Sequence, residues 1–260
     1  MIRALWTSAT GMASQQTNID TIAHNLANVN TSGFKKSRVN FQDLMYQTLR
    51  TAGSTTADGG QLPVGIQVGM GSKVVAVEKI FLQGDYNQTK NPLDLAIEGK
   101  GFFKLLSNGK EVYTRAGALK TDKDGYICDS NGNRLQPEFA VPAKAVSITV
   151  DPGGKLVCAE SDGKELASVQ LQLFDFTNPA GLASMGHNLF VPSEASGEPI
   201  QGNPGVDEFG TILQGYTEMS NVDVVEEMIN MIMAQRAYEM GTKVIQTSDE
   251  CLQMANNLRR

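Results

Sequence analysis

The fold of this chain is decided at its C-terminal end, where residues 220–260 read SNVDVVEEMINMIMAQRAYEMGTKVIQTSDECLQMANNLRR. Ser220 with Asp223 three residues further on resembles a capping box at a helix N-terminus. Glu226 and Glu227 add negative charge there, which the helix dipole favours. No proline interrupts the run from Asn221 onwards. The pattern therefore predicts one long helix that ends near the chain terminus.

Apolar and small residues recur along this helix at alternating spacings of three and four, which is the pattern of a coiled-coil seam. They are Met231, Ala234, Tyr238, Gly241, Ile245, Ser248, Leu252 and Ala255. A helix of roughly 38 residues would be about 57 Å long at 1.5 Å per residue, longer than a compact domain of this size can cover. It is therefore expected to need partners outside its own domain.

The N-terminal end predicts a second helix with a similar seam. Its seam residues are Ile2, Leu5, Ala9, Met12, Gln16, Ile19, Ala23 and Leu26. The pattern stops at residues 30–33, where Gly33 suits a left-handed C-terminal cap. Because both seams contain small or polar residues, an isolated pair of these helices is expected to be marginal and to order fully only on assembly.

The middle of the chain has short apolar runs separated by turn signals such as Asn108-Gly109, Asp124-Gly125 and Asp162-Gly163. This pattern predicts antiparallel hairpins. The fold class is therefore α+β: paired, coiled-coil-like terminal helices with an inserted antiparallel β-rich domain. The predicted domains are residues 1–33 with 221–260 for the helices, 34–72 for an extended linker, and 73–220 for the β-rich outer domain.

The segment from Tyr46 to Gly71 is rich in Thr, Ser, Gly and Gln, which predicts an extended loop. A structureless loop of this length is unusual inside a compact domain, so the segment is expected to be either disordered or held against a neighbour.

Composition excludes several classes of function. A net charge of -6 argues against nucleic-acid binding, which rests on many contacts from Lys and Arg to phosphate. No stretch approaches the roughly 18 apolar residues of a membrane span, and no cleavable signal is recognisable. The three cysteines, Cys128, Cys158 and Cys251, have no metal-binding spacing and are expected to be free, although a bridge between Cys128 and Cys158 stays conceivable.

Residues for catalysis are scarce. The two histidines, His24 and His187, leave few possible bases for a Ser-His-Asp or Cys-His site. The Gly-Lys pairs lack the rest of a phosphate-binding loop, and the acids around Asp122 and Asp129 are out of register for a calcium loop. Paired acids for glycoside hydrolysis depend on a separation that sequence does not give. We expect no catalytic residue, no cofactor and no metal.

The two ends carry a family resemblance. Residues 24–35, HNLANVNTSGFK, resemble the signature of the flagellar rod and hook family, and residues 220–228 with 235–239 are similar to the C-terminal helix of that family. Proximal rod, distal rod and hook proteins share these ends. The segment 46–71, including Tyr46, Leu62 and Pro63, resembles the insertion of the distal rod branch. A hook or proximal rod protein is the alternative.

The resemblance implies a structural subunit in the flagellar basal body that is exported by the flagellar type III apparatus. Such a subunit polymerises with itself into a rigid hollow shaft across the periplasm and peptidoglycan. It would contact proximal rod and hook proteins and the P and L rings. The predicted assembly-interface residues are Ile2, Leu5, Met12, Ile19, Leu26, Asn28, Gly33, Phe34, Met231, Tyr238, Ile245 and Leu252. Two alternatives from other classes are a peptidoglycan-cleaving enzyme and a monomeric binding module.

Overall fold

The computed structural model describes residues 2–53, 63–162, 164–206 and 208–257. Two long helices occupy the ends, α1 (Ile2–Ala27) and α2 (Val224–Asn257), and short strands fill the sequence between them. This arrangement confirms the predicted α+β class. The helix α1 ends earlier than the seam pattern suggests, because the asparagine-rich segment that follows it forms turns, with Thr31 N–H donating to Asn28 O at 3.1 Å.

The strands are antiparallel and mostly short. They are β1 (Ser37–Asp43), β2 (Tyr46–Arg50), β3 (Ile66–Gly69), β4 (Ser72–Lys79), β5 (Tyr86–Gln88), β6 (Leu95–Glu98), β7 (Phe103–Ser107), β8 (Lys110–Thr114), β9 (Lys120–Thr121), β10 (Ile127–Cys128), β11 (Arg134–Leu135), β12 (Ser147–Val150), β13 (Lys155–Ala159), β14 (Glu165–Gln170), β15 (Leu173–Asp175), β16 (Ala183–Gly186), β17 (Leu189–Val191), β18 (Ile200–Gly202), β19 (Thr211–Gln214) and β20 (Tyr216–Glu218).

The chain divides into two compact units, each built from separate stretches of sequence. The helical unit comprises Met1–Leu26, Ser37–Glu78 and Val224–Arg260. The β unit comprises Ala27–Lys36 and Lys79–Asp223. The chain therefore enters the β unit directly after α1 and returns to the helical unit at Ser37–Glu78, which the sequence patterns did not predict.

In the helical unit, α1 and α2 run antiparallel and approach closely through small side chains. The buried positions of α2 include Ala234 and Ser248. At Gly241 an added Cβ would lie 2.7 Å from Cγ of Met12, so no larger side chain fits there without movement. Helices that meet through small residues bury little apolar surface at their contact. The marginal stability expected of the isolated pair stays a prediction.

The remainder of the helical unit is a long two-stranded β ribbon. β1 pairs with β4, and β2 pairs with β3 in a register that places Tyr46 opposite Gly69. Leu44 N–H donates to Gly71 O at 2.8 Å and joins the two parts. The expectation of an extended loop from Tyr46 to Gly71 is therefore wrong at both ends of this segment, because β2 and β3 pair there. Residues 54–62 lie outside the described part of the chain.

The β unit contains the main core. A seven-stranded sheet has the order β16-β17-β8-β7-β11-β10-β9, and a three-stranded sheet has the order β12-β13-β14. Aliphatic side chains from several strands, Ile97, Leu105 and Leu156 among them, form the larger buried cluster. A second cluster is mostly aromatic, with Tyr113 and Phe176 packed edge to face at 4.9 Å between ring centroids.

All three cysteines are free, as the sequence predicted. Cys128 and Cys158 are buried in the β unit, and burial raises the pKa of both thiols. Cys251 is exposed on α2.

The close approach of the helices predicts opposite outcomes for two glycine substitutions. Gly11→Ala should stabilise the chain by about 0.5–1 kcal/mol, because alanine favours the helix and no atom lies within 4 Å of the added Cβ. Gly241→Ala should destabilise it by about 1 kcal/mol, because overpacking against Met12 outweighs the gain in helix propensity. Thermal unfolding followed by circular dichroism measures both, and equal stabilisation by the two variants would contradict the close packing.

Candidate assembly interface

The first three turns of α2 expose more apolar surface than one partner helix can cover. Five large side chains in this region are each more than half exposed: Val225, Met228, Ile229, Ile232 and Met233. Met240 and Val244 continue the exposed apolar surface along the helix. A contiguous apolar surface of this kind marks a site for another protein. We call these seven residues the α2 surface.

The start of α1 carries a similar surface. Ile2 is 70% exposed and Trp6 is 65% exposed, and their spacing of four places them on the same helix face. Trp is among the residues most enriched at the centre of protein interfaces. Both terminal helices of the chain therefore present large apolar side chains to solvent.

The predicted interface residues of the two helices are exposed or half-buried. Ile2 and Leu252 are exposed, and the others are half-buried; these others are Leu5, Met12, Ile19, Leu26, Met231, Tyr238 and Ile245. The structure brings Met12 against α2 within the chain. The role of these residues in contacts between subunits stays a prediction.

Three other predicted interface residues lie in the β unit. Asn28 is half-buried, and its side-chain oxygen accepts a hydrogen bond from Thr31 Oγ1 at 3.2 Å. Gly33 has a φ of +70°, and a Cβ there would lie 2.6 Å from Ala116 N, so glycine is required. Phe34 is buried, with Lys79 Nζ 4.9 Å from its ring centroid. The structure gives all three an internal role; their role in contacts between subunits stays a prediction.

The next signature residue, Lys35, belongs to a fully buried ion cluster in the β unit. Its Nζ lies 2.5 Å from Glu218 Oε1 and donates to Leu82 O at 2.6 Å. Glu218 Oε2 accepts a hydrogen bond from Arg115 Nε at 3.1 Å. Burial lowers the pKa of Lys35, and the neighbouring Glu218 carboxylate opposes that shift. Two cations therefore depend on one buried carboxylate.

The C-terminal signature also has an internal role in the β unit. Asn221 Oδ1 accepts a hydrogen bond from Lys36 N–H at 2.8 Å, and Asn221 Nδ2 donates to Ile80 O at 2.9 Å. Glu218 O accepts from Gly33 N–H at 2.8 Å. Within one subunit, the end of the N-terminal signature and the residue after it are thus bonded to residues 218–221.

The ribbon exposes apolar side chains along β2 and β3. Tyr46, Leu49 and Ile66 are exposed, as is Pro63. The hydroxyl of Tyr46 is bonded to the Asp43 carboxylate, which raises the pKa of Tyr46. Leu62, also predicted to belong to this insertion, lies outside the described residues.

Sequence reasoning missed the α2 surface and Trp6. A signal was available in residues 224–233, VVEEMINMIM, where seven of ten residues are apolar. A helix with one partner needs a single apolar stripe, so apolar residues around most of the helix indicate several partners. The seam pattern selected only one of these faces.

In the part of the chain that the structure describes, no group of three or more His, Cys, Asp and Glu side chains is placed to hold a metal ion. No described helix is long and apolar enough to cross a membrane.

Comparison with known proteins points to one class. Three family models match: "Flagella basal body rod protein" at residues 5–35, "Flagellar hook protein FlgE/F/G D1 domain" at residues 96–158, and "Flagellar basal body rod FlgEFG protein C-terminal" at residues 213–258. Two of these matches cover most of the terminal helices, and the third covers part of the β unit.

Relatives narrow the class further. The chain is 47% identical to a Caulobacter vibrioides protein over 99% of this chain and 100% of the relative. It is 46% identical to a Borreliella burgdorferi protein and 37% identical to a Bacillus subtilis protein, each over the full length of both chains. All three are named flagellar basal-body rod protein FlgG. The chain belongs to the FlgG family of flagellar basal-body rod proteins, and it is a structural component of the bacterial flagellar basal body.

Substitutions of the different members of the buried ion cluster should reduce the stability of the β unit by very different amounts. Glu218→Gln should destabilise the β unit by about 3–5 kcal/mol, because it leaves two buried cations without their carboxylate. Lys35→Met should cost much less, because Arg115 and Glu218 remain paired. Lys100→Met is the control: it removes an exposed ion pair with Glu208 and should leave stability nearly unchanged, because water screens the pair. Urea unfolding curves measure the free energy of unfolding of the three variants. Similar decreases for Glu218→Gln and Lys35→Met would contradict the prediction.

Proposed function

We propose that this chain polymerises through its terminal helices into the distal rod, a rigid hollow shaft that transmits torque from the flagellar motor to the hook. The observation that carries the proposal is the exposed apolar surface on both α1 and α2 in a member of the FlgG family. Fully burying one large apolar side chain contributes about 1.5–3 kcal/mol. Covering the seven residues of the α2 surface would therefore stabilise a polymer strongly.

The small-residue contact between α1 and α2 supports the same proposal. Because Gly241 lies against α1 and the nearby buried residue Ala234 is also small, the larger side chains of α2 stay available for neighbouring subunits. The isolated helix pair buries little apolar surface, so its stability rises when neighbours bind. Folding and assembly of the helical unit are thereby coupled.

The ribbon has a second role in this proposal, which is to stiffen the shaft. An isolated two-stranded ribbon is at best marginally stable in water. This one exposes Leu49 and Ile66, and packing against adjacent subunits would remove both side chains from water. Contacts of that kind would restrain sliding between subunits.

The partners proposed for the assembled rod are the proximal rod and hook proteins, the P-ring and L-ring proteins, and the flagellar export apparatus. The full-length relatives named FlgG favour the distal rod over the alternative of a hook or proximal rod protein. They also favour a structural subunit over a peptidoglycan-cleaving enzyme or a monomeric binding module. The proposed role involves no catalysis.

A charge placed on the α2 surface tests the assembly proposal. Ile229→Asp should abolish polymerisation, because a desolvated, unpaired carboxylate in an interface is strongly unfavourable. The fold of the subunit should survive, because Ile229 is more than half exposed. Gln235→Asp, at an exposed polar position of the same helix, is the matched control and should polymerise normally. Sedimentation and electron microscopy of purified subunits measure the outcome, and normal rods from Ile229→Asp would refute the proposed interface.

Polar substitutions in the ribbon test its stiffening role separately. Leu49→Ser with Ile66→Ser should leave polymerisation intact but lower the bending stiffness of isolated rods, measured from their thermal curvature in electron micrographs. Gln47→Ser with Gln67→Ser alters the same strands without removing apolar surface and should have no effect on stiffness. Unchanged bending stiffness in the Leu49→Ser, Ile66→Ser variant would contradict the proposed stiffening role of the ribbon.

A further inference from the structure

Two contacts within the subunit give the relative height of α1 and α2. Met12 lies against Gly241, and Asn25 Nδ2 donates to Glu227 Oε2 at 3.3 Å. The spacing between the two contacts is nearly the same on both helices, which is what an antiparallel pair requires. Each residue of α1 can therefore be matched to the residue of α2 that lies level with it.

The exposed apolar residues of the two helices lie at opposite ends of this pair. Trp6 is level with about residue 247 of α2, because Met12 is level with Gly241. Ile229, in the middle of the α2 surface, is about 18 residues closer to the start of α2, which corresponds to about 27 Å along the helix axis. Trp6 and Ile229 therefore cannot meet within one subunit.

The α2 surface also lies on the side of α2 that is turned away from α1. Five of its residues follow one another at spacings of three and four, which places them in one stripe: Val225, Met228, Ile229, Ile232 and Met233. At 3.6 residues per turn, the centre of this stripe is roughly 150° around the helix from Gly241, which lies against Met12. α1 of the same subunit does not cover the stripe, so its partner must come from another molecule.

The two exposed surfaces carry opposite charges at equivalent positions. Residues 2–6 read IRALW and residues 225–229 read VEEMI, so in each stretch a charged residue directly follows the first of two apolar residues spaced by four. That residue is Arg3 in the first stretch and Glu226 in the second, and both are exposed. Three exposed residues of the first stretch form what we call the α1 patch: Ile2, Arg3 and Trp6.

Few other charged residues neighbour this pair in sequence. Arg3 is the one charged residue in residues 2–19, and Glu226 shares residues 224–235 only with Glu227, which is buried. The first turn of α1 contains no acid, and a cation there is disfavoured by the helix dipole. Arg3 is thus not placed to stabilise its own helix, whereas a carboxylate from a neighbour would offset the unfavourable position.

The positions of the two charges also specify the orientation of the contact. Arg3 and Glu226 each follow an apolar residue by one, so they lie on the same flank of their stripes when each helix is viewed from its N-terminus. Residues on the same flank meet across an antiparallel helix pair. Because α1 and α2 are already antiparallel within a subunit, such a contact between subunits makes all of them point in one direction. Two α2 surfaces meeting in the same way would instead place Glu226 against Glu226.

We propose that the α1 patch of one copy of this chain docks on the α2 surface of the next copy, with Arg3 beside Glu226. This inference rests on the proposed function and identifies which surfaces meet in the polymer. The contact joins two different surfaces, so every added subunit still presents one of each and growth is open-ended. Successive subunits are displaced by about 27 Å along the helix axis.

Charge reversal on both sides of the contact tests the pairing. Sedimentation of the purified full-length chain gives the lowest concentration at which polymer forms. Arg3→Glu and Glu226→Arg should each raise this concentration by about tenfold or more, because each places like charges in contact. The double variant should return to within about threefold of the parent, since opposite charges meet again. The two residues lie near opposite ends of the helix pair within a subunit, so this recovery has to arise between subunits.

Two controls separate the contact from changes in net charge and in folding. Glu198→Arg makes the same change in charge at an exposed position of the β unit and should polymerise as the parent does. Arg3→Glu places an acid in the first turn of α1, so the helical circular dichroism of the unassembled chain should stay the same or increase. A double variant that polymerises no better than the single variants would show that Arg3 and Glu226 do not meet, and would overturn the proposal.

Trp6 reports docking directly, because it is the single tryptophan of the chain. Its side chain is 65% exposed in the subunit and would be buried against the α2 surface in the polymer. Its fluorescence emission should therefore move to shorter wavelength when the parent polymerises. Polymers in which the emission of Trp6 stays that of the free subunit would refute this contact and leave the proposed function standing. A parent chain that forms no polymer would refute the proposed function, and the contact with it.

Discussion

The close contact of α1 and α2 through small side chains determines how the helical unit divides its surface. Gly241 lies against Met12, and Ala234 and Ser248 are buried on the same side of α2. These contact residues are small, and the large side chains of α2 lie on its other faces, where they are exposed. A helix pair built from Leu and Ile at the same positions would be more stable alone and would offer less to a neighbour. The small contact between α1 and α2 and the large exposed apolar surface of α2 therefore have the same cause, which is the small residues at the contact.

The β unit is stabilised by the opposite kind of interaction. Its core is formed by large aliphatic and aromatic side chains, and its signature residues are held by buried ionic and backbone hydrogen bonds. Glu218 connects Arg115 with Gly33 and Lys35, which lie far from both in sequence: its backbone oxygen accepts from Gly33, and its carboxylate pairs with Lys35 and Arg115. Removing the carboxylate leaves the two buried cations without a counter-charge, whereas exposed pairs such as that of Lys100 contribute little to stability. The β unit therefore has a large buried core of its own, whereas the helical unit leaves many of its large apolar side chains exposed.

The family signatures were recognisable in sequence, but their physical roles were not. The segment 24–35 identified the family, and the relatives confirm that identification. The structure places Gly33, Phe34 and Lys35 inside a subunit, where a backbone close approach and a buried charge explain why these residue types occur. Neither feature is visible in a linear pattern, because Ala116 and Glu218 lie far along the chain. The polar contact of Asn25 with Glu227 was hidden for the same reason.

The sequence by itself determined the two long helices, the inserted antiparallel strands and the family, because helical periodicity, turn residues and signature motifs are local in the chain. It also indicated that the helices need partners, through their length and their small or polar seam residues. Only the tertiary structure decided that residues near Tyr46 and Gly69 pair into a ribbon, that Lys35 is buried with Glu218, and which face of α2 meets α1. These depend on contacts between residues distant in sequence, and such contacts are set by register and volume in three dimensions.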